Sequence, residues 1–277
     1  MLKLAVWHRV AFPLSLAAAV AGAALVASSL TAAPSVLQEP AVAFPGGPYY
    51  AIGCSVSHRN NDDAIAFPSQ PGRSHNHTYI GNTAVNASTT PASLLGGATS
   101  CDDSGDSSAY WMPTLYAGLE AVLPRSAIVY YVKRSKKKLA SLPKGLMMIA
   151  GNAYAQRPQS KGVVAWSCLA RALGLGRKFA AIPACRPDEM LQLQVTFPSC
   201  WNGRAVDSRD HKGHVTYPSR GLCPASHPVE LPTLVLIVLY PTVPRGAQVA
   251  SGRFGAHADF MNGWNDDVLT RFYLPNR

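Results

Sequence analysis

The apolar residues of this chain fall in short segments, and this pattern constrains the fold more than any other feature. LQLQVTF (191–197) alternates apolar and polar residues, as a strand with one buried face does. TLVLIVLY (233–240) does not alternate, which is typical of a central strand covered on both faces. Segments of similar length are AIVYYV (127–132), GLMMIAG (145–151), GVVAWSCL (162–169) and HVTYP (214–218). The sequence therefore predicts a mainly β chain.

The composition indicates the same fold class. Charged residues are only 14% of the chain, while Gly and Pro contribute 22 residues each, which favours many short segments and turns over long solvated helices. Short helices are expected only at 116–123 and 265–273, too few for an alternation of strands and helices. We predict an antiparallel β-sandwich or jelly-roll-like single domain with long loops and a few short helices.

The N-terminal segment has the layout of a signal peptide. Lys3 and Arg9 precede an apolar, alanine-rich run that ends in small residues, so residues 1–33 are predicted to be removed on export. The run from 10 to 33 is also long enough to span a bilayer, and an uncleaved membrane anchor is the alternative. A proline-rich linker (34–48) and one folded domain (49–277) are expected to follow. This organisation predicts a secreted protein, located in the periplasm or outside the cell.

The cysteine residues are consistent with an oxidising compartment. Six cysteines lie beyond the predicted signal peptide, and none is part of a C-x-x-C pair. Export therefore favours disulfides over a cysteine metal site. We predict pairing between neighbours along the chain: Cys54 with Cys101, Cys168 with Cys185, and Cys200 with Cys223.

The chain is basic, with a formal net charge of +10, and part of that charge is local. VKRSKKKL (132–139) holds five basic residues, which would suit an acidic polysaccharide, a phosphate-rich envelope or nucleic acid. A solvated loop between two strands is the alternative. Because no aromatic residue interleaves with these lysines, stacking of single-stranded bases is not supported, and nucleic acid is disfavoured as a partner.

Two histidine pairs indicate a metal site. His75 and His77 form an H-x-H pair, whose side chains share one face of an extended segment. His211 and His214 are three residues apart, with Gly213 easing a turn between them. We predict that these four histidines hold a divalent metal ion, for which zinc, copper and manganese all remain candidates. Histidines that only hydrogen-bond to loop backbone are the alternative.

Acid and base groups accompany these histidines. Asp210 precedes His211, and Asp259 follows His257 by two residues, so these four residues are the candidate catalytic groups. Asp210 or Asp259 could also complete the metal site or orient one of its histidines. For Asp210 and the nearby Asp207, turn capping is an equally good interpretation. The sequence has no G-x-S-x-G motif and no phosphate-binding glycine loop, which disfavours a serine hydrolase.

Aromatic and amide residues in the same segments suggest a carbohydrate groove. Exposed rings stack on sugar faces, and neighbouring amides bind hydroxyl groups. The candidate substrate-binding residues are Trp201, Asn202, Asn262 and Trp264. Core packing is the alternative, and it is the expected position of Trp111 and Trp166.

Five segments in the same order resemble the conserved blocks of a known family. They are SHNHTYIG, YWMPTLY, FPSCWNGRAVDSRDHKGHVTYP, CPASHPVELPTL and HADFMNGWNDDVL. The chain is similar, over about residues 57–270, to the secreted family catalogued as domain of unknown function nineteen-ninety-six. The positions matching its pattern are His75, His77, Asp210, His211, His214, His227, His257, Asp259, Asn262 and Trp264.

The resemblance implies a shared polar site in a secreted domain associated with cell walls or polysaccharide. Fungal members are often joined to carbohydrate-binding modules, but no reaction is established for the family. This chain differs from many members in its lysine-rich insert at 133–138, and none of its segments is predicted to form a carbohydrate-binding module. A substrate inferred from those fusions therefore carries less weight for this chain.

These observations predict a secreted domain that acts on extracellular or cell-wall carbohydrate through a cleft rich in histidine and aspartate. The expected chemistry is metal-assisted hydrolysis or lysis. The alternative is a non-catalytic protein that binds a glycan or a metal ion at the cell surface. Turnover distinguishes the two, because only an enzyme releases new chain ends. A nuclease is disfavoured because the basic run and the histidines lie in separate segments.

Overall fold

The structure is a computed structural model that describes residues 48–134, 138–169 and 176–268. The predicted signal peptide, almost all of the linker and the lysines at 136 and 137 lie outside the described residues. Within the described part of the chain, no helix is both long enough and apolar enough to cross a bilayer.

The described elements are almost all strands. In chain order they are β1 (Tyr49–Cys54), β2 (Val56–Asn60), β3 (His77–Gly81), α1 (Pro91–Leu94), β4 (Ala109–Pro113), β5 (Leu115–Ala117), β6 (Glu120–Val122), β7 (Ser126–Val132), β8 (Met147–Gly151), β9 (Val164–Leu169), β10 (Met190–Thr196), β11 (Cys200–Trp201), β12 (Val215–Thr216), β13 (Val229–Glu230), β14 (Thr233–Tyr240), β15 (Gln248–Val249) and β16 (His257–Met261).

Two five-stranded antiparallel sheets form the fold. The first sheet has the order β1-β7-β14-β10-β9, and the second has the order β2-β3-β4-β16-β8. Two three-stranded sheets, β12-β11-β13 and β15-β5-β6, are formed by the short strands. The predicted mainly β, antiparallel, sandwich-like architecture is confirmed.

The two large sheets share one apolar core. Val129 and Leu236 of the first sheet belong to the same buried cluster as Ile80 and Phe260 of the second. Strand β14 is the third of five strands and is buried at all of its positions, which confirms the sequence prediction of a central strand. Strand β10 differs from expectation, because the glutamines of its alternating pattern are also buried. The outer face of the first sheet is therefore covered there as well.

The prediction of a helix at 116–123 was wrong. The segment is the β5–β6 hairpin, in which Tyr116 pairs with Ala121. Gly118 has a φ of 64°, a conformation that suits a two-residue hairpin turn and interrupts a helix. Of the second predicted helix, only residues 265–268 are described, and they contain no α-helix. The helix α1 begins after Thr90, which forms a capping box with Ser93.

The predicted disulfide pairing is confirmed. Cys54 bonds to Cys101, Cys168 to Cys185, and Cys200 to Cys223. The described part of the chain has no free cysteine. Three disulfides are typical of proteins that mature in an oxidising compartment.

The second sheet has one face toward the core and one face away from it. Ile80, Tyr110 and Phe260 point into the shared core. Since side chains alternate along a strand, His77 and Tyr79 of β3 lie on the opposite, outer face, as do His257 and Asp259 of β16. The outer face is therefore where the polar residues of the site meet.

A buried hydrogen-bonded chain joins the strands on the core side. The Trp264 indole Nε1 donates to the Tyr131 hydroxyl (2.9 Å), the hydroxyls of Tyr131 and Tyr110 are 2.5 Å apart, and Tyr110 donates to the Asp106 carboxylate (2.6 Å). Burial raises the pKa of Asp106 to about 6, although Ser108 and Tyr110 hydrogen bonds oppose the shift. The carboxylate at the end of this chain is therefore costly to ionise.

The raised pKa of Asp106 predicts a pH-dependent stability. A carboxyl group whose pKa rises on folding contributes stability below its unfolded pKa, and that contribution is lost as the pH rises through the folded pKa. We expect the Asp106 contribution to fall by about 3 kcal/mol between pH 4 and pH 7. Denaturant titrations across this range should show a smaller pH dependence in Asp106→Asn. The exposed Asp188→Asn is the control, and an unchanged slope in Asp106→Asn would contradict this assignment.

Candidate metal centre

Five ionisable side chains converge on the outer face of the second sheet, and we call them the His/Asp cluster. Strand β3 supplies His77, strand β16 supplies His257 and Asp259, and the loop before β3 supplies Asp63 and His75. The potential ligand atoms of the three histidines all lie within 4.8 Å of one another, and so do those of Asp63, His77 and Asp259. The cluster therefore joins residues that are far apart in the sequence.

The cluster is buried at its base and more open at His75. His77, His257 and Asp259 are at most 2% exposed, whereas His75 is half-buried. The ring centroids of His75 lie 4.3 Å from His77 and 5.1 Å from His257, and those of His77 and His257 are 5.8 Å apart. The three imidazoles thus surround one small volume, which solvent approaches from the His75 side.

Backbone carbonyl groups fix the orientation of two of the imidazoles. The Nδ1 atom of His77 lies 2.9 Å from the Asp62 carbonyl oxygen, and that of His257 lies 2.7 Å from the Gly255 carbonyl oxygen. A carbonyl oxygen only accepts a hydrogen bond, so Nδ1 is the protonated nitrogen in both rings. Each Nε2 therefore has a free lone pair. Metal-binding histidines are commonly held in this way.

Several polar atoms of the cluster have no partner in the described protein. They are the Nε2 atoms of His75 and His77 and the Oδ2 atom of Asp259. The His257 Nε2 and Asp259 Oδ2 atoms are 3.6 Å apart, which is too long for a hydrogen bond. A buried polar atom without a partner costs about 1–3 kcal/mol. A bound water or ion that contacts these atoms would remove this cost.

Burial also sets the ionisation states of the cluster. It lowers the pKa of His77 well below its usual value, and it lowers the pKa of His257 to about 3. Burial and then the charge of Asp63 raise the pKa of Asp259 well above its usual value, against the opposing charge of Lys212. The two imidazoles are consequently neutral at pH 7, which is the form that binds metal ions.

Asp63 was not among the site residues predicted from the sequence. Its Oδ1 atom accepts hydrogen bonds from the backbone N–H groups of Ile65 (2.9 Å) and Ala66 (2.8 Å). These bonds hold the carboxylate at the start of a turn, and burial raises its pKa despite them. In the sequence, Asp63 stands in NNDDAIAF, where nothing separates it from an ordinary turn aspartate.

The segment 205–214 lies along the edge strand β8. Val206 accepts a backbone hydrogen bond from Met147 (2.9 Å), and the His214 Nε2 atom contacts the Met147 carbonyl oxygen (2.6 Å). At the other end of the strand, the Lys212 Nζ atom donates to the Gly151 carbonyl oxygen (2.6 Å). Because Gly151 pairs with the first residue of β16, this segment borders the His/Asp cluster.

His211 lies on this bordering segment rather than inside the cluster. Its Nδ1 atom is 3.0 Å from both carboxylate oxygens of Asp207. The His211 side chain is 26% exposed, and it is close enough to Asp63 for its charge to lower the pKa of Asp63. Its φ of 55° is unusual for a residue with a side chain, and such conformations are concentrated at functional sites.

Of the four histidines predicted to bind metal, the structure groups two. His75 and His77 are in the cluster, and His257 joins them where His211 and His214 were expected. His214 is fully buried, and its two ring nitrogens contact the Ser208 hydroxyl (3.0 Å) and the Met147 carbonyl oxygen (2.6 Å). Both ring nitrogens of His214 therefore have contacts within the protein, outside the His/Asp cluster.

Asp210, a predicted catalytic residue, has the geometry of a turn cap. Its Oδ1 atom accepts hydrogen bonds from the backbone N–H of Gly213 (2.8 Å) and Lys212 (3.2 Å) and from the Ser208 hydroxyl (2.8 Å). These bonds hold the pKa of Asp210 well below its usual value, and the bond from Gly213 contributes most. The turn interpretation of Asp210 fits this geometry, and Asp207 is the carboxylate that orients His211.

The four predicted substrate-binding residues differ in their burial and in their hydrogen bonds. Trp264 is buried and donates to Tyr131, while Asn262 donates to the carbonyl oxygens of Leu142 and Pro143. Two further candidates are held in a turn: the Trp201 indole donates to the Ala205 carbonyl oxygen, and the Asn202 side chain accepts from Arg204 and Ala205. Trp264 and Asn262 are therefore buried, whereas Trp201 and Asn202 are partly exposed.

The comparison with known proteins agrees with the family resemblance. A family model described as Domain of unknown function (DUF1996) matches residues 63–264, which include the whole His/Asp cluster and the segment that borders it. The chain matches no curated protein and no solved structure. Because the matched region covers most of the chain, the protein belongs to the DUF1996 family.

Proposed function

We propose that this domain binds a divalent transition-metal ion at the His/Asp cluster and uses it in hydrolysis or lysis of extracellular carbohydrate. One observation carries the proposal: the Nε2 atoms of His75 and His77 and the Oδ2 atom of Asp259 are buried together without protein partners. The lone pair of His257 faces the same volume. An ion held by the three imidazoles would satisfy the Nε2 atoms of His75 and His77, which offsets the cost of burying them.

The donor set indicates the class of ion. Neutral imidazoles suit zinc, copper, iron and nickel, whereas magnesium and calcium prefer oxygen ligands. Three histidines with a carboxylate nearby form the kind of set that leaves a position for water or substrate. Zinc is the first ion to test.

The segment that borders the cluster supports a catalytic role. A bound ion would lower the pKa of a coordinated water or polarise a substrate oxygen. His211, which Asp207 orients through Nδ1, would take at its Nε2 atom the proton that the attacking water or the sugar loses. Lys212 donates a hydrogen bond to the Gly151 carbonyl oxygen and would hold segment 205–214 beside the cluster. Carbohydrate remains the substrate class that the family resemblance favours.

A second candidate function is binding without catalysis. The burial of His77, His257 and Asp259 favours it, since His75 is the one partly exposed member of the cluster in the described chain. The domain would then hold an ion or a glycan at the cell surface. Incubation with a panel of neutral and acidic polysaccharides separates the two functions: an enzyme produces new reducing ends or unsaturated sugars, and a binder produces neither.

Elemental analysis of the folded protein tests the metal site directly. After loading with zinc, copper or manganese and removal of free ion, we expect about one ion per chain, because the cluster is one site. The His75→Ala, His77→Ala double variant should retain none. His227→Ala is the matched control, since His227 hydrogen-bonds to Ser226 and Gly213 outside the cluster. Equal metal content in the double variant and the wild type would refute the site.

A further inference from the structure

We infer that a second site, beside the His/Asp cluster, binds acidic polysaccharide through Tyr154 and Arg157. The inference rests on the proposed function and deepens it by naming the substrate class as a glycan that carries carboxylate groups. The site is a shallow depression of about 540 Å³ between β8 and β9, lined mainly by Asn152, Tyr154, Gln156, Arg157 and Gln159. This volume is in the usual range of ligand sites.

Tyr154 is the feature of this depression that most needs an explanation. Its side chain is 76% exposed, more than that of any other aromatic residue among the exposed large hydrophobic residues of the described chain. No described residue forms a hydrogen bond with its hydroxyl or a stacking contact with its ring. An exposed tyrosine ring in a polar surface is a natural platform for the C–H face of a sugar.

The loop that carries Tyr154 is held firmly in place. The Gln159 amide nitrogen donates to the carbonyl oxygens of Phe254 (2.6 Å) and Ala256 (2.8 Å), and its Oε1 atom accepts from the Asn152 backbone N–H (2.9 Å). Asn152 in turn accepts from the Tyr154 backbone N–H (3.0 Å). The ring is therefore displayed by an ordered loop, which reduces the entropy lost on binding.

The charge of the surrounding segments specifies an acidic ligand. Residues 150–162 contain Arg157 and Lys161, and residues 250–256 contain Arg253, while neither segment contains an aspartate or a glutamate. Within the described residues Arg157 forms no ion pair, so its guanidinium group is available for two parallel hydrogen bonds to a sugar carboxylate. The side-chain amides of Asn152 and Gln156 would bind sugar hydroxyl groups.

The position of the depression connects it with the proposed metal centre. Asn152 directly follows Gly151, which pairs with His257 of the cluster and accepts the hydrogen bond from Lys212. A polymer bound on Tyr154 would therefore continue toward His211 and the His/Asp cluster. The depression would hold the chain, and the cluster would act on it.

Affinity electrophoresis through gels containing polygalacturonate or a neutral β-1,3-glucan tests the inference. We expect polygalacturonate to retard the protein more strongly than the neutral glucan, and salt to reduce that retardation. Tyr154→Ala should weaken binding about tenfold, and Tyr154→Phe should leave it nearly unchanged because the ring is kept. Arg157→Gln should abolish the preference for polygalacturonate. Arg125→Gln, which replaces an exposed arginine directly before β7, is the control for the loss of one charge.

Repeating the measurement on chelator-treated protein separates this inference from the proposed metal site. Retardation that survives chelation, with the same loss in Tyr154→Ala, supports the depression even if no metal binds to the cluster. The inference is overturned if Tyr154→Ala and Arg157→Gln run like the wild type, or if retardation by polygalacturonate disappears on chelation. Metal content measured on the same samples reports on the proposed function independently.

Discussion

Addition of Zn²⁺ to the metal-free protein is expected to raise the free energy of unfolding by about 3 kcal/mol when the free ion is at a hundred times its dissociation constant. The physical reason is that the ion binds the folded chain only, because the ligand atoms of His77 and His257 come together when β3 and β16 join one sheet. The increase should grow with the logarithm of the zinc concentration. Denaturant titrations at several zinc concentrations provide the measurement.

The His257→Ala variant should lose this increase. Removing a group that only hydrogen-bonds to a metal ligand already lowers metal affinity about 10–100-fold, and removing a ligand itself should lower it further. His214→Asn is the informative control. His214 is buried and hydrogen-bonded outside the cluster, so its replacement should lower stability without metal but leave the zinc-dependent increase intact. An equal increase in wild type and His257→Ala would show that the ion binds elsewhere.

Replacement of Cys54 and Cys101 by alanine is expected to lower the free energy of unfolding by about 4 kcal/mol, because this disulfide closes the longest of the three loops. The two cysteines are 47 residues apart in the sequence. Cys54 ends β1 of the first sheet, and Cys101 lies in the segment that leads to β4 of the second. The bond therefore limits how far the segments of the two sheets separate in the unfolded chain.

The Cys168–Cys185 disulfide provides a matched comparison. Its cysteines are 17 residues apart, so replacing both by alanine should cost only about 3 kcal/mol. Denaturant titrations of the two double variants under identical conditions measure the difference. If the Cys168, Cys185 variant proves the less stable of the two, the loop-closure explanation fails.

Sequence patterns predicted the structure correctly where one local feature determined it. The unbroken apolar run of β14 identified a central strand because burial on both faces leaves no room for polar alternation. An even number of cysteines beyond a signal-like segment indicated disulfides, and pairing neighbours along the chain gave the observed bonds. At 116–123 the local pattern was compatible with a helix. The segment forms a hairpin instead, with Gly118 in a left-handed conformation at its turn.

The candidate site was predictable only in part, because long-range pairing assembles it. The H-x-H motif placed His75 and His77 together, since that proximity depends on the extended chain alone. The proximity of His257 depends on β16 lying between β4 and β8, which no local pattern encodes. The spacing of His211 and His214 also indicated a metal site. In the structure, however, the His214 Nε2 atom hydrogen-bonds to the backbone of β8.

The position of β16 also has a consequence for the order in which the protein matures. This strand is the last one in the described chain, and it fits between two strands that precede it by more than a hundred residues in sequence. Contacts between such distant segments form late in folding. Closing the long loop between them lowers the entropy of the chain before the new contacts stabilise it. The ligand set is therefore incomplete until the C-terminal strand has inserted. A metal ion would therefore bind after most of the domain has folded. It would not direct the folding of the nascent chain.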